Sequence, residues 1–168
     1  MTRIHYDTEF LEDGSTIELI SIGMVREDGA EYYAVSSEFD EVRVREHSWL
    51  RKNVWPHLPL DDDGWIDHDH PSVKTRAEIA DEVQTFILSL PEPELWAWYA
   101  AYDHVALCQL WGRMIDLPKG IPMFTRDLKQ EAMRLGNPEM PKQESGEHDA
   151  LADARHNLKM HISLEGAQ

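Results

Sequence analysis

The sequence predicts an α/β fold: a central mixed sheet with three antiparallel N-terminal strands followed by parallel strands, flanked by helices. Three observations predict it. Two Asp-Gly turn signals cut the first third of the chain into three strand-like segments. Ile79, Val83, Phe86, Ile87 and Leu90 recur at spacings of three and four, the mark of an amphipathic helix. The short apolar run Leu95–Tyr102 follows that helix, and a helix between two strands implies a crossover and parallel pairing.

Each element has its own local cause. The first strand is Arg3–Phe10, closed by the Glu12-Asp13-Gly14 turn, and Thr16–Val25, rich in β-branched residues, is the second. Arg26–Ala30 holds the second Asp-Gly, and Glu31–Phe39, with Tyr32, Tyr33 and Val35, is the third. Residues 40–71 contain Pro56, Pro59, Gly64 and Pro71, so a long loop region is expected there, with one short helix around Val44–Val54. The amphipathic helix spans Thr75–Leu90 and is stopped by Pro91 and Pro93. Leu95–Tyr102 is apolar and aromatic enough for a strand buried on both faces. Asp103 is a candidate N-cap for a helix from His104 to about Ile115. A strand or helix start near Met123–Leu128 leads into a helix to Leu135, which Gly136-Asn137-Pro138 breaks, and a last helix runs from near His148 to about His161. No repeat or linker divides the chain, and 168 residues suit a single domain, residues 1–168, better than two.

Composition narrows the function classes. An apolar content of 42% and a charged content of 29% exclude a disordered or fibrous chain. The run Leu95–Tyr102 falls far short of the roughly 18 apolar residues of a bilayer span, and no membrane partner is expected. No apolar stretch develops before Asp7, so a secretory leader is not expected either. The single cysteine, Cys108, cannot form an internal disulfide and suits a reducing, cytoplasmic setting. Sixteen Lys and Arg against thirty-two Asp and Glu leave a net charge of −16, which repels polyanions at long range. A polyanionic substrate would therefore need local positive charge, which divalent cations held by clustered carboxylates supply.

Three places put acids where strands end or helices begin. Asp7 and Glu9, one residue apart in the first strand, face the same side and repel unless a cation or proton lies between them, or unless the strand is an edge facing water. Asp103 follows the central apolar strand, at the end where open α/β sheets place their chemistry, although helix capping explains it equally well. His148 precedes Asp153 by five residues; inside one helix the two would stand about 140° apart, so His148 is expected on a loop after Gly146 and Asp153 on the helix. Converged, the four carboxylates suit two hard divalent cations, Mg²⁺ or Mn²⁺, and in-line phosphoryl displacement, with His148 accepting a proton from water.

In order and spacing these residues resemble the DEDDh 3′–5′ exonucleases. Asp7-x-Glu9 is similar to their first motif, Asp103 to their second, and His148-x-Ala150-x-x-Asp153, the most specific, to their third. Within that group, Asp7-Thr8-Glu9-Phe10 and Glu94-Leu95-Trp96-Ala97-Trp98 running into Ala101-Tyr102-Asp103-His104 resemble the actinobacterial polyadenylate-specific exoribonucleases of the AS type and their phage relatives. Many DEDDh members carry a His-Asn pair before the second acid; Trp98 and Tyr99 stand there here, which favours the narrower exoribonuclease group.

The resemblance implies a ribonuclease H-like fold and a metal-dependent enzyme that releases nucleoside 5′-monophosphates from single-stranded RNA 3′ ends, with adenylate preference. It also implies two ions per active site and a homodimer. Asp7, Glu9 and Asp153 would hold one ion, Asp7 would bridge to the second, Asp103 would act partly through water, and His148 would be the general base.

Other residues are assigned on chemistry alone. Phe10, helped by Leu11, is the choice for holding the last base, because aromatic stacking tolerates every base. Trp96, Trp98, Tyr99 and Tyr102 are expected in the core, and Arg126 and Lys129 on a solvated surface. Asp67-His68-Asp69-His70 and Asp61–Asp63 are expected to be solvated loops. Two alternatives stand beside the exoribonuclease: a DNA or mixed-substrate DEDDh exonuclease, and a catalytically silent ribonuclease H-like module that binds a protein.

Overall fold

A computed structural model describes residues 2–166. The strands β1 (Thr2–Glu12), β2 (Ile17–Arg26) and β3 (Glu31–Ser36) form the antiparallel meander that the two Asp-Gly turns predict. Two short helices follow, α1 (Glu41–Glu46) and α2 (Ser48–Asn53), then β4 (Val73–Lys74), α3 (Arg76–Leu88), β5 (Pro93–Ala97) and α4 (Ala101–Cys108). The chain closes with β6 (Arg126–Asp127), α5 (Leu128–Arg134) and α6 (Ala150–Glu165). The sheet order is β4-β3-β2-β1-β5-β6, with β4, β5 and β6 joining in parallel. It is the α/β mixed sheet expected from the sequence, and none of its helices among the described residues is long and apolar enough to cross a membrane.

Alternation along β1 divides the two sides of the sheet. Ile4 and Tyr6, fully buried, pack with Ile22 and Met24 against Ile79, Val83 and Ile87 of α3 and Leu107 of α4. His5 faces the other side and meets His161 of α6, so the same period of two carries Asp7 and Glu9 to the α6 side. α6 is drawn close there by burial of Ala154, Met160 and Leu164 and by the Asn157 side-chain amide, which donates to the Tyr6 carbonyl at 3.0 Å. A third cluster, including Ile20, Val35, Phe39, Val44 and Trp55, seats α1 and α2 over the far end of β1.

Gly23 permits the closest approach. It pairs with Asp7 across β1 and β2, and a Cβ on it would stand 2.4 Å from the Ala150 carbonyl and Leu151 Cα at the start of α6. Backbone atoms cannot swing aside as a side chain can. Gly23→Ala is therefore expected to destabilise the fold by about 1–3 kcal/mol through overpacking and to lift Asp153 away from β1. Urea unfolding checks it, and a midpoint equal to the wild-type value would show that α6 yields freely.

Several expectations change. The apolar run is not one strand: β5 ends at Ala97, Tyr99 takes a left-handed φ of +55°, and α4 begins at Ala101. Apolarity persisted because the residues that end the strand and open the helix are aromatic too. As a result only Trp96 of the four aromatics is in the core; Tyr99 and Tyr102 are 63% and 53% exposed, and Trp98 is half-buried. Asp103 does not cap α4 but lies in its first turn behind Ala100, which makes no side-chain cap. The helix also stops at Cys108, where a 3-10 turn over Gln109–Trp111 leads to Gly112 at φ +95°, and α6 runs four residues past His161.

Candidate active site

The five residues singled out from the sequence come together. Asp7 and Glu9 from β1, Asp103 from α4, Asp153 from α6 and His148 from the preceding loop line one cavity of about 540 Å³. Phe10, Trp49, Trp98, Tyr99 and Tyr102 supply its apolar wall. Among the described residues no lysine or arginine lines it, while Glu12 adds another acid.

Asp103 and Asp153 are each aimed by neighbours. Thr8, pointing to the side opposite Asp7 and Glu9, donates both its backbone N–H (2.9 Å) and its hydroxyl (2.7 Å) to Oδ1 of Asp103. That leaves Oδ2 of Asp103 clear of Thr8. Asp153 receives the Gln143 amide on Oδ1 at 2.6 Å and the His148 backbone N–H on Oδ2 at 2.8 Å. Asp149 caps α6 by accepting from the Ala152 N–H at 2.8 Å, which fixes the helix start one turn before Asp153.

The loop bearing His148 is shaped by unusual backbone. Gly146 adopts φ +75°, where a Cβ would meet the Ala152 Cβ at 2.9 Å, and His148 itself adopts φ +68°. A non-glycine residue at positive φ costs roughly 1–3 kcal/mol and persists only where its surroundings hold it. Here the holding contacts are the bond to Asp153 and an edge-on contact of the imidazole with Trp49, ring centres 4.7 Å apart. Glu9, His148 and Asp153 can each offer a ligand atom with all three within 4.8 Å of one another, a set suited to a divalent cation. Asp7 and Asp103 flank that set without belonging to it.

The crowding of acids shows in their proton affinities. Burial, then the neighbouring Asp103, Glu9 and Asp153, hold the Asp7 carboxyl well above the ordinary range. Burial and Asp153 push Glu9 up to about 8. Asp103 is raised to about 6 by burial, against the two Thr8 bonds that favour its charge, and Asp153 is raised by burial against Gln143 and the His148 N–H. Glu9, at about 8, therefore holds a proton or a cation at neutral pH.

Leu11 does not reach the cavity. It is 5% exposed and packed in the cluster with Ile20, Val35 and Phe39, because it shares the inward face that α1 and α2 cover. Phe10 is half-buried at the cavity wall and stacks on Tyr102, ring centres 5.8 Å apart and 10° from parallel. Arg126 is ion-paired with Glu94, and Lys129 lies over Trp98. In the Asp67–His70 segment, Asp67 caps its own turn and His68 bonds Glu41, so no cluster forms there among the described residues. Thr8, Gln143 and Trp49 went unread in the sequence, and Tyr102 was read as core. Thr8 was legible in principle as the outward residue between two inward acids; Gln143 and Trp49 carry no local signal.

Comparison with known proteins follows the same lines. A family model described as the 3'-5' exoribonuclease Rv2179c-like domain matches residues 2–164. The 3'-5' exoribonucleases Rv2179c and MT2234.1 of two Mycobacterium tuberculosis strains are each 50% identical over 160 residues, covering 94% of this chain and 89% of theirs. Among solved structures, the Mg²⁺- and Mn²⁺-bound form of S. pombe Pop2p superposes with a TM-score of 0.54 at 15% identity, covering 97% of this chain and 81% of that one. A chain from the yeast NOT1 MIF4G domain co-crystallized with CAF1 gives 0.50 at 13% identity, covering 98% and 80%. At such identities the likeness is one of fold, ribonuclease H-like.

Proposed function

The chain belongs to the family of the 3'-5' exoribonuclease Rv2179c-like domain, and from that premise we propose that it shortens single-stranded RNA from the 3′ end, as one catalytic domain, releasing nucleoside 5′-monophosphates. One observation carries the mechanism: five residues from four separate elements line a single cavity whose acids have no lysine or arginine beside them among the described residues. Folding brings such groups together at a cost in stability, and that cost is recovered when a cation binds.

The donor set fits hard divalent ions. Asp7, Glu9, Asp103 and Asp153 offer carboxylate oxygens, and the similarly folded Pop2p holds Mg²⁺ and Mn²⁺. When bound, two such ions would supply the positive charge that balances a phosphodiester and would acidify water for its attack. The protein's own groups do the rest. His148, held by Asp153 and Trp49, takes the proton from the attacking water at an imidazole nitrogen. Thr8 orients Asp103, and Gln143 orients Asp153. Phe10, backed by Tyr102, offers its ring face to the last base, and the exposed Tyr99 borders the same space. We further take the chain to prefer adenylate and to act as a homodimer, on the resemblance of its motifs, in the reducing cytoplasm that its single cysteine suits.

The test is a comparison of 5′-labelled oligo(A), oligo(U) and oligo(dA) incubated with Mg²⁺ or Mn²⁺. Stepwise shortening fastest on oligo(A), and stopped by a chelator, is expected. Equal shortening of oligo(dA) would favour the mixed-substrate exonuclease, and intact strands in all three lanes would favour the silent binding module.

A further inference from the structure

Outside the active cavity the acidic surface has one basic opening next to it. A groove of about 340 Å³ lies between α6 and the segment before its loop, lined by Lys142, Gln143, Arg155, His156 and Lys159, with Glu144 as its one acidic side chain. Arg155, His156 and Lys159 share a stripe of α6 at spacings of three and four, turned away from the inward stripe of Asp153, Asn157 and Met160. Arg155 is held by Glu31 through two bonds. Lys142 and Lys159 are exposed, and neither is ion-paired among the described residues, which is notable where acids outnumber bases two to one.

The groove continues into the catalytic cavity. A second hollow of about 420 Å³ is lined by Gln143 and His156 together with Asp7, His148 and Asp153, so these two residues belong to both spaces. His156 and Lys159 stand one and roughly two turns beyond Asp153 along α6. The two sides of the catalytic acids thus differ in chemistry: an aromatic wall on one, amines and a guanidinium on the other.

We propose that the Lys142–Lys159 groove receives the phosphodiester backbone of the RNA upstream of the scissile bond, while the aromatic side holds the terminal nucleotide. It rests on the exoribonuclease function above and adds the direction in which the strand lies. Long-range repulsion from the −16 charge makes such a local basic track necessary for a strand longer than the nucleotides the metal site can hold. Gln143, which bonds Asp153 and lines the groove, joins the two regions.

The double variant Lys142→Gln/Lys159→Gln tests it on an oligo(A) strand about 12 nucleotides long and on the dinucleotide. Both lysines are exposed and bonded to nothing among the described residues, so the variant keeps its fold. For the long strand, KM is expected to rise about 3- to 10-fold with kcat unchanged. The slope of log KM against log salt should become shallower by about 1.4, at about 0.7 for each of two phosphates that the amines no longer neutralise. The dinucleotide should be cleaved as by wild type, and Lys142→Arg/Lys159→Arg should restore the long-strand KM. Unchanged KM and salt slope, or an equal loss on the dinucleotide, would overturn the groove assignment. Fluorescence anisotropy on the same strand with phosphorothioate at its last linkages separates the two levels. Wild-type protein that bound the strand more tightly than the variant yet never shortened RNA would remove the exonuclease function and leave the groove standing.

Discussion

Asp7→Asn is expected to lower nucleotide release by more than about 10²-fold while making the metal-free protein more stable. Losing an outer partner of a metal ligand typically costs 10–100-fold, so losing a ligand should cost more. The stability gain has a separate cause. Asp7 is enclosed with Glu9, Asp103 and Asp153; burial raises the proton affinity of all four, and the neighbouring carboxylates raise that of Asp7 and Glu9 further. With Glu9 held near 8 and Asp103 near 6, the folded state binds protons more tightly than the unfolded chain. The favourable contribution is present at acid pH and is lost as pH rises through these values. Asp7, held well above the ordinary carboxylate range, is the acid the variant lacks, so in chelator wild type should lose stability relative to Asp7→Asn as pH rises above that range. The buried His5 and His161, which are held below their ordinary range by burial, act in the opposite sense but are common to both proteins and cancel in the difference. Thermal melts with and without Mn²⁺ or Mg²⁺ complete the test: the ion should raise the wild-type midpoint more at pH 8 than at pH 5, and should scarcely move the variant. A variant with wild-type turnover, or an equal response to the ion, would falsify the role of Asp7.

His148→Ala should slow turnover by about 10²- to 10⁴-fold, the range for loss of a general base. The backbone N–H of residue 148 still reaches Asp153 in the variant, so that carboxylate keeps its aim. An alanine at φ +68° does strain the loop, and His148→Asn, a residue more tolerant of that region, is the better control. If proton transfer is what His148 supplies, both variants should be slow and added imidazole should recover part of the rate in His148→Ala. If the ring only fills space against Trp49, then Trp49→Phe with His148 intact should be as damaging and imidazole should have no effect.

The elements that local patterns determine were legible in the sequence. The Asp-Gly turns fixed the meander, the spacing of Ile79, Val83 and Ile87 gave α3, and the helix between two strands required the parallel addition of β5. The relation of His148 to Asp153 was also readable, because helical geometry forbids a shared face at a separation of five. Where strand and helix formers ran together, as at Trp98–Asp103, the pattern could not say where one ended, and Asp103 read equally as a helix cap and as a site acid; it is a first-turn residue aimed by Thr8.

By itself, then, the sequence picked out the candidate site residues, the order of the main elements and the faces of β1. Only the tertiary structure decided that Asp7, Glu9, Asp103, His148 and Asp153 share one cavity, that Tyr99 and Tyr102 border it, that Leu11 lies behind it, and that a basic groove opens beside it. The reason is physical: alternation and helical period are set by neighbouring residues, whereas the approach of α6 to the sheet depends on the missing side chain of Gly23, far from α6 in the chain.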